Sequence, residues 1–175
     1  MKLWNTEYLS IGAFADDEFY RQAKHTAAVN GAKIYIASGA IGGFDVMRAI
    51  SLMRNPKAEF IMSKTPSEIK ETALYNDSMA ELKQRTLVFE GSAKEVIELM
   101  PTKINVGVAA ALATVGAENT NVKFYCDPDV KEDDIRIKVS SDEAYADINI
   151  VSKPTAITAW SIVALLNNIV SPVVF

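Results

Sequence analysis

The glycine-rich segment SGAIGG at residues 38–43 constrains this chain most, because of what lies on either side of it. The short apolar run before it, residues 34–37, predicts a buried strand, and residues 44–53 have the pattern of a helix. Open α/β sheets bind ligands at glycine-rich connections of this kind, which leave the carboxyl end of a parallel strand. The alternative is a tight turn whose glycines are needed only for positive φ.

The first 55 residues predict strand, helix, strand, glycine-rich loop and helix. The first strand is predicted at residues 7–14, Asp16 or Asp17 can cap the helix that follows, and Gly31 ends it. This order indicates a βαβ-like unit with parallel strands. We therefore expect residues 1–55 to be a remnant of a dinucleotide-binding domain.

Residues 56–175 show a different organisation. Strands are predicted at residues 58–63, 85–90, 122–127, 134–139 and 144–151, and helices at 92–100, 105–116 and 155–170. Ser92 and Glu95 have the spacing of a capping box. The last three strands in succession predict an antiparallel meander with a hairpin turn at residues 140–142. The expected fold class is α/β (α+β): a partial Rossmann βαβ remnant, then a mixed, largely antiparallel sheet domain covered by helices.

Composition excludes several classes of protein. The formal net charge is −4 and basic residues are not clustered, which argues against nucleic-acid binding. The single cysteine, Cys126, cannot form an intrachain disulfide or a Cys-based zinc site, and we expect it to be buried. The most apolar stretches, 104–116 and 156–174, are too short or too interrupted to span a membrane. These features favour a cytoplasmic protein without a metal.

Several segments, in order and spacing, resemble the L-aspartate dehydrogenase family. They are LSIGAFAD at residues 9–16, IASGAIGGFD at 36–45, SKTP at 63–66, FEGSAKE at 89–95, MP at 100–101, INVGVA at 104–109 and DP at 127–128, with a weaker match at 153–161. The combination is much more specific than any one segment.

The resemblance implies a reaction, a cofactor and a fold. Members of the family oxidise L-aspartate to iminoaspartate with NAD or NADP, and the product can enter NAD biosynthesis. Their N-terminal Rossmann domain is joined to an α/β domain that holds the substrate and forms a dimer contact. The implied cofactor contacts in this chain are Gly12, Ala13, Ser38, Gly39, Ala40 and Asn105.

The substrate also makes physical demands. Both carboxylates of aspartate need cationic or N–H partners. Lys64 and Lys153 are candidates, along with the N-termini of the helices near Asn105 and residue 155. Each lysine could instead be an ordinary solvated surface charge.

The chain departs from the family in two ways. The family's first Rossmann strands and their GxGxxG turn should precede residue 7, so we expect a fragment or a split subunit, completed by a separate chain or within a homodimer. The family's catalytic histidine falls on Ile135, and a one-residue slip places Asp134 there instead. The family's asparagine two residues before the histidine falls on Asp133, and His25 lies in the first helix, without a catalytic counterpart.

Two functions therefore remain open. One is an NAD(P)-dependent oxidoreductase acting on L-aspartate. The other is a non-catalytic descendant that binds a dicarboxylate or dimerises.

Overall fold

A five-stranded mixed sheet organises the chain, in a computed structural model that describes residues 11–101, 103–131, 133–153 and 156–174. The strands are β1 (Lys57–Lys64), β2 (Thr86–Ser92), β3 (Thr120–Cys126), β4 (Asp133–Ser140) and β5 (Tyr145–Ser152). They lie in the order β2-β3-β1-β4-β5. In this sheet β1 and β3 pair in parallel, whereas β2 with β3, β1 with β4 and β4 with β5 pair antiparallel. The predicted mixed, largely antiparallel sheet with helices is confirmed.

Some of the helices begin at a residue whose side chain caps them. The helices are α1 (Asp17–Val29), α2 (Phe44–Ser51), α3 (Pro66–Ile69), α4 (Ala93–Leu99), α5 (Asn105–Leu112) and α6 (Ala156–Val170), with 3-10 turns at Ile11–Ala15 and Asp77–Glu81. The carboxylate of Asp16 accepts a hydrogen bond from the N–H of Phe19 at 2.8 Å and so caps α1. Ser92 and Glu95 form the predicted capping box of α4.

The side of the sheet that faces the helices, here called the inner face, is apolar. Phe60 of β1 and Phe124 of β3 are fully buried on it. Helix α5 packs against this face at Gly107, where an added Cβ would lie 3.2 Å from Cδ1 of Phe60. Glycine therefore suits the close approach of α5 to the sheet, because a larger residue would have to displace Phe60 slightly. The hydroxyl oxygens of Thr114 and Thr120 are 3.4 Å apart, which places the end of α5 beside the start of β3.

The opposite side of the sheet, the outer face, is polar. Glu59 forms ion pairs with Lys123 at 2.7 Å and with Lys138 at 3.4 Å. On the neighbouring strands Arg136 pairs with both carboxylate oxygens of Asp147. Buried residues alternate with exposed or partly exposed ones along most of β1, β3 and β4, and this alternation gives the sheet one buried and one solvated side.

The predicted strand at residues 34–37 is not a strand. Residues 32–38 form an extended segment outside the sheet, and Ile34 and Tyr35 are exposed. A strand needs a hydrogen-bonded neighbour, and no described segment pairs with this one. Of the other predicted strand, residues 7–10 lie outside the described residues, and Ile11–Ala15 form a 3-10 turn. The division at residue 55 stays a prediction, and Ile41 and Met47 share one buried cluster with Phe60.

The predicted meander of the last three strands is partly wrong. β4 and β5 form the expected hairpin, in which Ser140 pairs with Tyr145 and the N–H of Ser141 donates to the carbonyl of Ala144. β3, however, is separated from β4 by β1. After β3 the chain passes beside the end of β1, where the N–H of Asp127 donates to the carbonyl oxygen of Lys64 at 2.9 Å, so no two-residue hairpin turn joins β3 to β4.

The final helix, α6, is unusual because it is apolar yet has no buried residue. Trp160, Leu166 and Val170 are 71%, 57% and 81% exposed. Ile157 is partly buried against the core. Among the described residues, no helix has both the length and the hydrophobicity needed to cross a membrane.

Candidate functional site

The glycine-rich segment at residues 38–43, here called the bend, turns the chain from the extended segment into α2. Gly39 and Gly43 adopt the left-handed backbone conformation, with φ of 66° and 75°. Between them, Ala40 and Ile41 are buried in the core. Two left-handed residues separated by buried side chains give the bend its shape, because glycine enters this conformation without steric cost.

One side of the bend opens on a cleft of about 600 Å³. Its walls come from the turn at residues 11–15, the extended segment and the starts of α1, α5 and α6, and they are mainly apolar. Four of the predicted cofactor-contact residues line it: Ala13, Ser38, Gly39 and Asn105. The structure therefore brings the bend and Asn105 together, although 66 positions of sequence (105 − 39) separate Gly39 from Asn105.

Asn105 is the first residue of α5, and the carbonyl of Ile104 accepts the first helical hydrogen bond, from Val108, at 3.2 Å. Ile104 offers no side-chain cap to the N–H groups of this first turn. The end of α5 lies beside the start of β3, so the helix runs back along the sheet in the opposite direction to β3. The N-terminus of α5 is therefore directed towards the edge at which β3 ends. The positive end of the helix dipole is thus near the cleft.

Helix α6 forms the remaining wall of the cleft through Thr158, Ser161 and Ile162. The N–H of Gly39 donates a hydrogen bond to Oγ of Ser161 at 3.1 Å. The Ser161 hydroxyl in turn donates to the carbonyl oxygen of Thr158 at 2.7 Å. Sequence reasoning did not assign Ser161 to the site. The available signal was a pair of hydroxyl residues, three positions apart, in an otherwise apolar helix.

A protein-family model described as aspartate dehydrogenase, C-terminal, matches residues 45–169. This match covers most of the chain. The chain belongs to the aspartate dehydrogenase C-terminal family.

Curated relatives and a solved structure agree with the family match. The chain is 31% identical to the L-aspartate dehydrogenase of Acinetobacter baylyi over 87% of its own length and 59% of the relative's. It is 32% identical to the L-aspartate dehydrogenase of Methanospirillum hungatei, over 95% of its own length and 64% of the relative's. The crystal structure of aspartate dehydrogenase from Thermotoga maritima matches with a TM-score of 0.78 and 30% identity, over 94% of this chain and 65% of that one. The chain thus spans about three fifths of the length of these relatives.

Other predicted site residues of this aspartate dehydrogenase C-terminal family member lie away from the cleft. Ala40 follows Gly39 in the bend but its side chain is in the core, and Gly12 lies within the 3-10 turn without lining the cleft. Lys153 follows β5 and is exposed. The assignment of these residues to cofactor or substrate stays a prediction.

Lys64 ends β1 and is partly buried. Its ammonium group contacts the carboxylate of Glu68 at 3.0 Å, and Glu68 also closes the capping box that begins at Thr65. Partial burial raises the pKa of Glu68, but hydrogen bonds from Thr65 and Lys64 together with the lysine charge outweigh this effect and lower it. Lys64 is therefore held at the carboxyl end of β1 by an ordered acidic partner.

Ile135 is the residue at which the resemblance placed the family's histidine. This residue is 4% exposed on the inner face, opposite Met62 and Ile150. Asp134, one residue earlier, is exposed and lines a polar depression of the outer face with Arg136 and Lys138. The sheet lies between Asp134 and the cleft. The side chain of Asp133 is outside the described part of the structure.

The remaining titratable candidates do not extend the site. Cys126 is buried at the end of β3, and desolvation, with a smaller contribution from Asp127, raises the pKa of its thiol. This agrees with the expectation of a buried cysteine. His25 is exposed on α1. The described residues contain no cluster of histidine, cysteine and carboxylate side chains that could hold a metal ion.

Proposed function

We propose that this chain forms the nicotinamide- and substrate-contacting part of an NAD(P)-dependent L-aspartate dehydrogenase, as a fragment or a split subunit. The proposed reaction oxidises L-aspartate to iminoaspartate for NAD biosynthesis in the cytoplasm. One observation carries the proposal: in a member of the aspartate dehydrogenase C-terminal family, the bend and Asn105 open on the same cleft.

The cleft fits a nicotinamide ring. Its walls are apolar side chains such as Ile36 and Val106, and its few polar groups include the Asn105 amide and the hydroxyls of Ser38 and Thr158. Sites for small planar ligands have this composition, with a few polar groups that fix orientation. When bound, the nicotinamide would accept the hydride that leaves Cα of aspartate. The contribution of this chain is to hold the ring, orient it and exclude water.

The rest of the dinucleotide needs other residues. The 175 residues contain no GxGxxG sequence, so the pyrophosphate would be held by another segment or chain. The exposed apolar residues Ile34, Tyr35 and Trp160 lie on or beside elements that line the cleft. A nucleotide-binding half, supplied by a separate chain or within a homodimer, would bury this apolar surface on association.

The substrate carboxylates would lie at the edge of the sheet where β1 and β5 end. Both strands run antiparallel to β4, so their carboxyl ends are at the same edge. Lys64 ends β1, and Lys153 follows β5. The N-terminus of α5 is directed towards this edge as well. Two ammonium groups and a helix N-terminus provide the charge that a dicarboxylate requires.

A second candidate function is favoured by a specific observation. Amine oxidation needs a base for the ammonium proton, and Ile135 cannot supply one. Of the described residues that line the cleft, Tyr35 is the sole titratable one. A chain with the binding surfaces but without this base fits a non-catalytic module that binds a dicarboxylate or dimerises.

Calorimetric titration with NADH, NADPH and then L-aspartate tests the proposal. We expect binding of reduced cofactor, and weaker binding by Asn105→Ala, with Asn121→Ala on the outer face as the matched control. No heat at millimolar cofactor would contradict the proposal. A nicotinamide absorbance change upon mixing NAD or NADP with aspartate supports the enzyme, whereas aspartate binding without it supports the second candidate.

A further inference from the structure

The contact between Gly39 and Ser161 joins the bend to the final helix. The Ser161 hydroxyl has one proton, which it donates to the carbonyl oxygen of Thr158 at 2.7 Å. This donation fixes the orientation of the hydroxyl and leaves a lone pair for the N–H of Gly39, at 3.1 Å. The hydrogen bond is partly buried. If the Ser161 hydroxyl were removed, water could not fully replace it as the partner of the Gly39 N–H.

The same contact lies between two clefts. Ser38 and Ser161 line the cleft that contains Asn105, and they also line a second cleft of about 590 Å³ that contains Phe44 and Leu165. A rotation of the backbone at Gly39 would therefore change the shape of both clefts. Gly39 has no side chain to restrict such a rotation.

We propose that Ser161 is a positioning residue of the nicotinamide cleft: its hydroxyl holds the bend in the left-handed conformation at Gly39 and so sets the wall against which the ring lies. This inference rests on the proposed function. Ser161 acts through the backbone of Gly39 and need not touch the ligand. The proposal also gives α6 a role in the site, although this helix has no buried residue.

Ser161→Thr and Ser161→Val make a matched pair, because both side chains are β-branched and the threonine keeps the hydroxyl that the valine lacks. Amide hydrogen exchange at Gly39 reports the contact without any ligand. We expect valine to accelerate this exchange about tenfold by opening the bend locally. Threonine should leave the exchange near the wild-type rate.

NADH binding, followed by nicotinamide fluorescence, reports the positioning role. We expect Ser161→Val to weaken NADH binding about fivefold, the effect of one lost neutral hydrogen bond, and Ser161→Thr to rescue it. Ser171→Ala is the control, because its hydroxyl accepts only from Val173 in the same turn among the described contacts. Ser161→Ala provides a second hydroxyl-free variant if the valine variant does not fold.

Three results would overturn the proposal, and they differ from one another. Unchanged exchange at Gly39 in both hydroxyl-free variants would show that the contact does not hold the bend. Faster exchange with unchanged NADH affinity would leave Ser161 a structural residue alone. If the wild-type chain fails to bind NADH, the proposed function fails first, and that result is visible before any variant is made.

Discussion

Gly43 lies so close to Ile148 that a Cβ added to the glycine would be 2.6 Å from Cδ1 of the isoleucine. The φ of Gly43 is also left-handed, at 75°. Gly43→Ala is therefore expected to lower the free energy of unfolding by about 1–2 kcal/mol, mainly through backbone strain, because the end of the Ile148 side chain can rotate away from the added methyl group. Denaturant unfolding measures the change.

The neighbouring glycine is the control for this prediction. A Cβ at Gly42 would lie 3.6 Å from Cδ1 of Ile150, an ordinary contact distance, and its φ is not left-handed. Gly42→Ala should change the free energy of unfolding by less than about 1 kcal/mol. Equal losses in the two variants would show that the bend does not have this geometry.

Lys64 and Lys57 stand at opposite ends of β1 and offer a comparison within one strand. If Lys64 binds a substrate carboxylate, Lys64→Met should weaken L-aspartate binding about tenfold to a hundredfold, as expected for a lost charge-assisted hydrogen bond. Lys57→Met should bind aspartate like the wild type. Calorimetry provides the affinities, and unfolding curves check the loss of the ion pair to Glu68. Equal affinities in all three proteins would remove Lys64 from the site.

Asp134 is expected to have no part in the reaction, because it lies on the outer face beside Arg136 and Lys138. Asp134→Asn should leave the affinities for NADH and L-aspartate within about twofold of the wild type, since solvent screens a charge on the far side of the sheet. A tenfold loss of aspartate affinity would restore Asp134 as a candidate base.

The ion pairs of Glu59 predict an acid-dependent loss of stability. Partial burial raises the pKa of this carboxyl, but the hydrogen bonds and charges of Lys123 and Lys138 outweigh burial and hold the pKa below its ordinary value of 4.5. A carboxyl whose pKa is lower in the folded state than in the unfolded state stabilises the folded protein fully at pH values above its unfolded-state pKa. This stabilisation is lost as the pH falls below 4.5 and through the folded-state value.

Glu59→Gln measures this contribution. We expect the variant to be less stable than the wild type by about 1 kcal/mol at neutral pH, and the difference to shrink as the pH is lowered below the unfolded-state pKa. Glu90→Gln is the control, because Glu90 is half-exposed and 3.7 Å from Lys123. A difference that does not depend on pH would show that the ion pairs of Glu59 do not contribute.

The features predicted correctly from sequence are those determined by neighbouring residues. The capping box of Ser92 and Glu95 and the hairpin turn after Ser140 each depend on contacts a few positions apart. The parallel pairing of β1 with β3 joins Ala58 to Thr120, and no local pattern indicates it. Residues 34–37 have the composition of a strand, but without a neighbouring strand they stay extended and unpaired.

The candidate site also depends on contacts between residues that are distant in the sequence. The resemblance assigned both the bend and Asn105 to the cofactor, and packing of α5 on the sheet brings them to one cleft. The hydrogen bond of Gly39 with Ser161 spans 122 positions and depends on where α6 returns to the fold.

Nuclear magnetic resonance titration of the labelled chain with nicotinamide mononucleotide shows whether the nicotinamide ring binds in the cleft between the bend and α5. This ligand carries the nicotinamide without the adenylate half, for which the chain has no GxGxxG turn. Binding of the ring in this cleft should change the amide shifts of Ser38, Gly39, Asn105 and Val106. Adenosine monophosphate should change none of them. Changes that miss both the bend and the start of α5, or no changes at saturating ligand, would contradict this prediction.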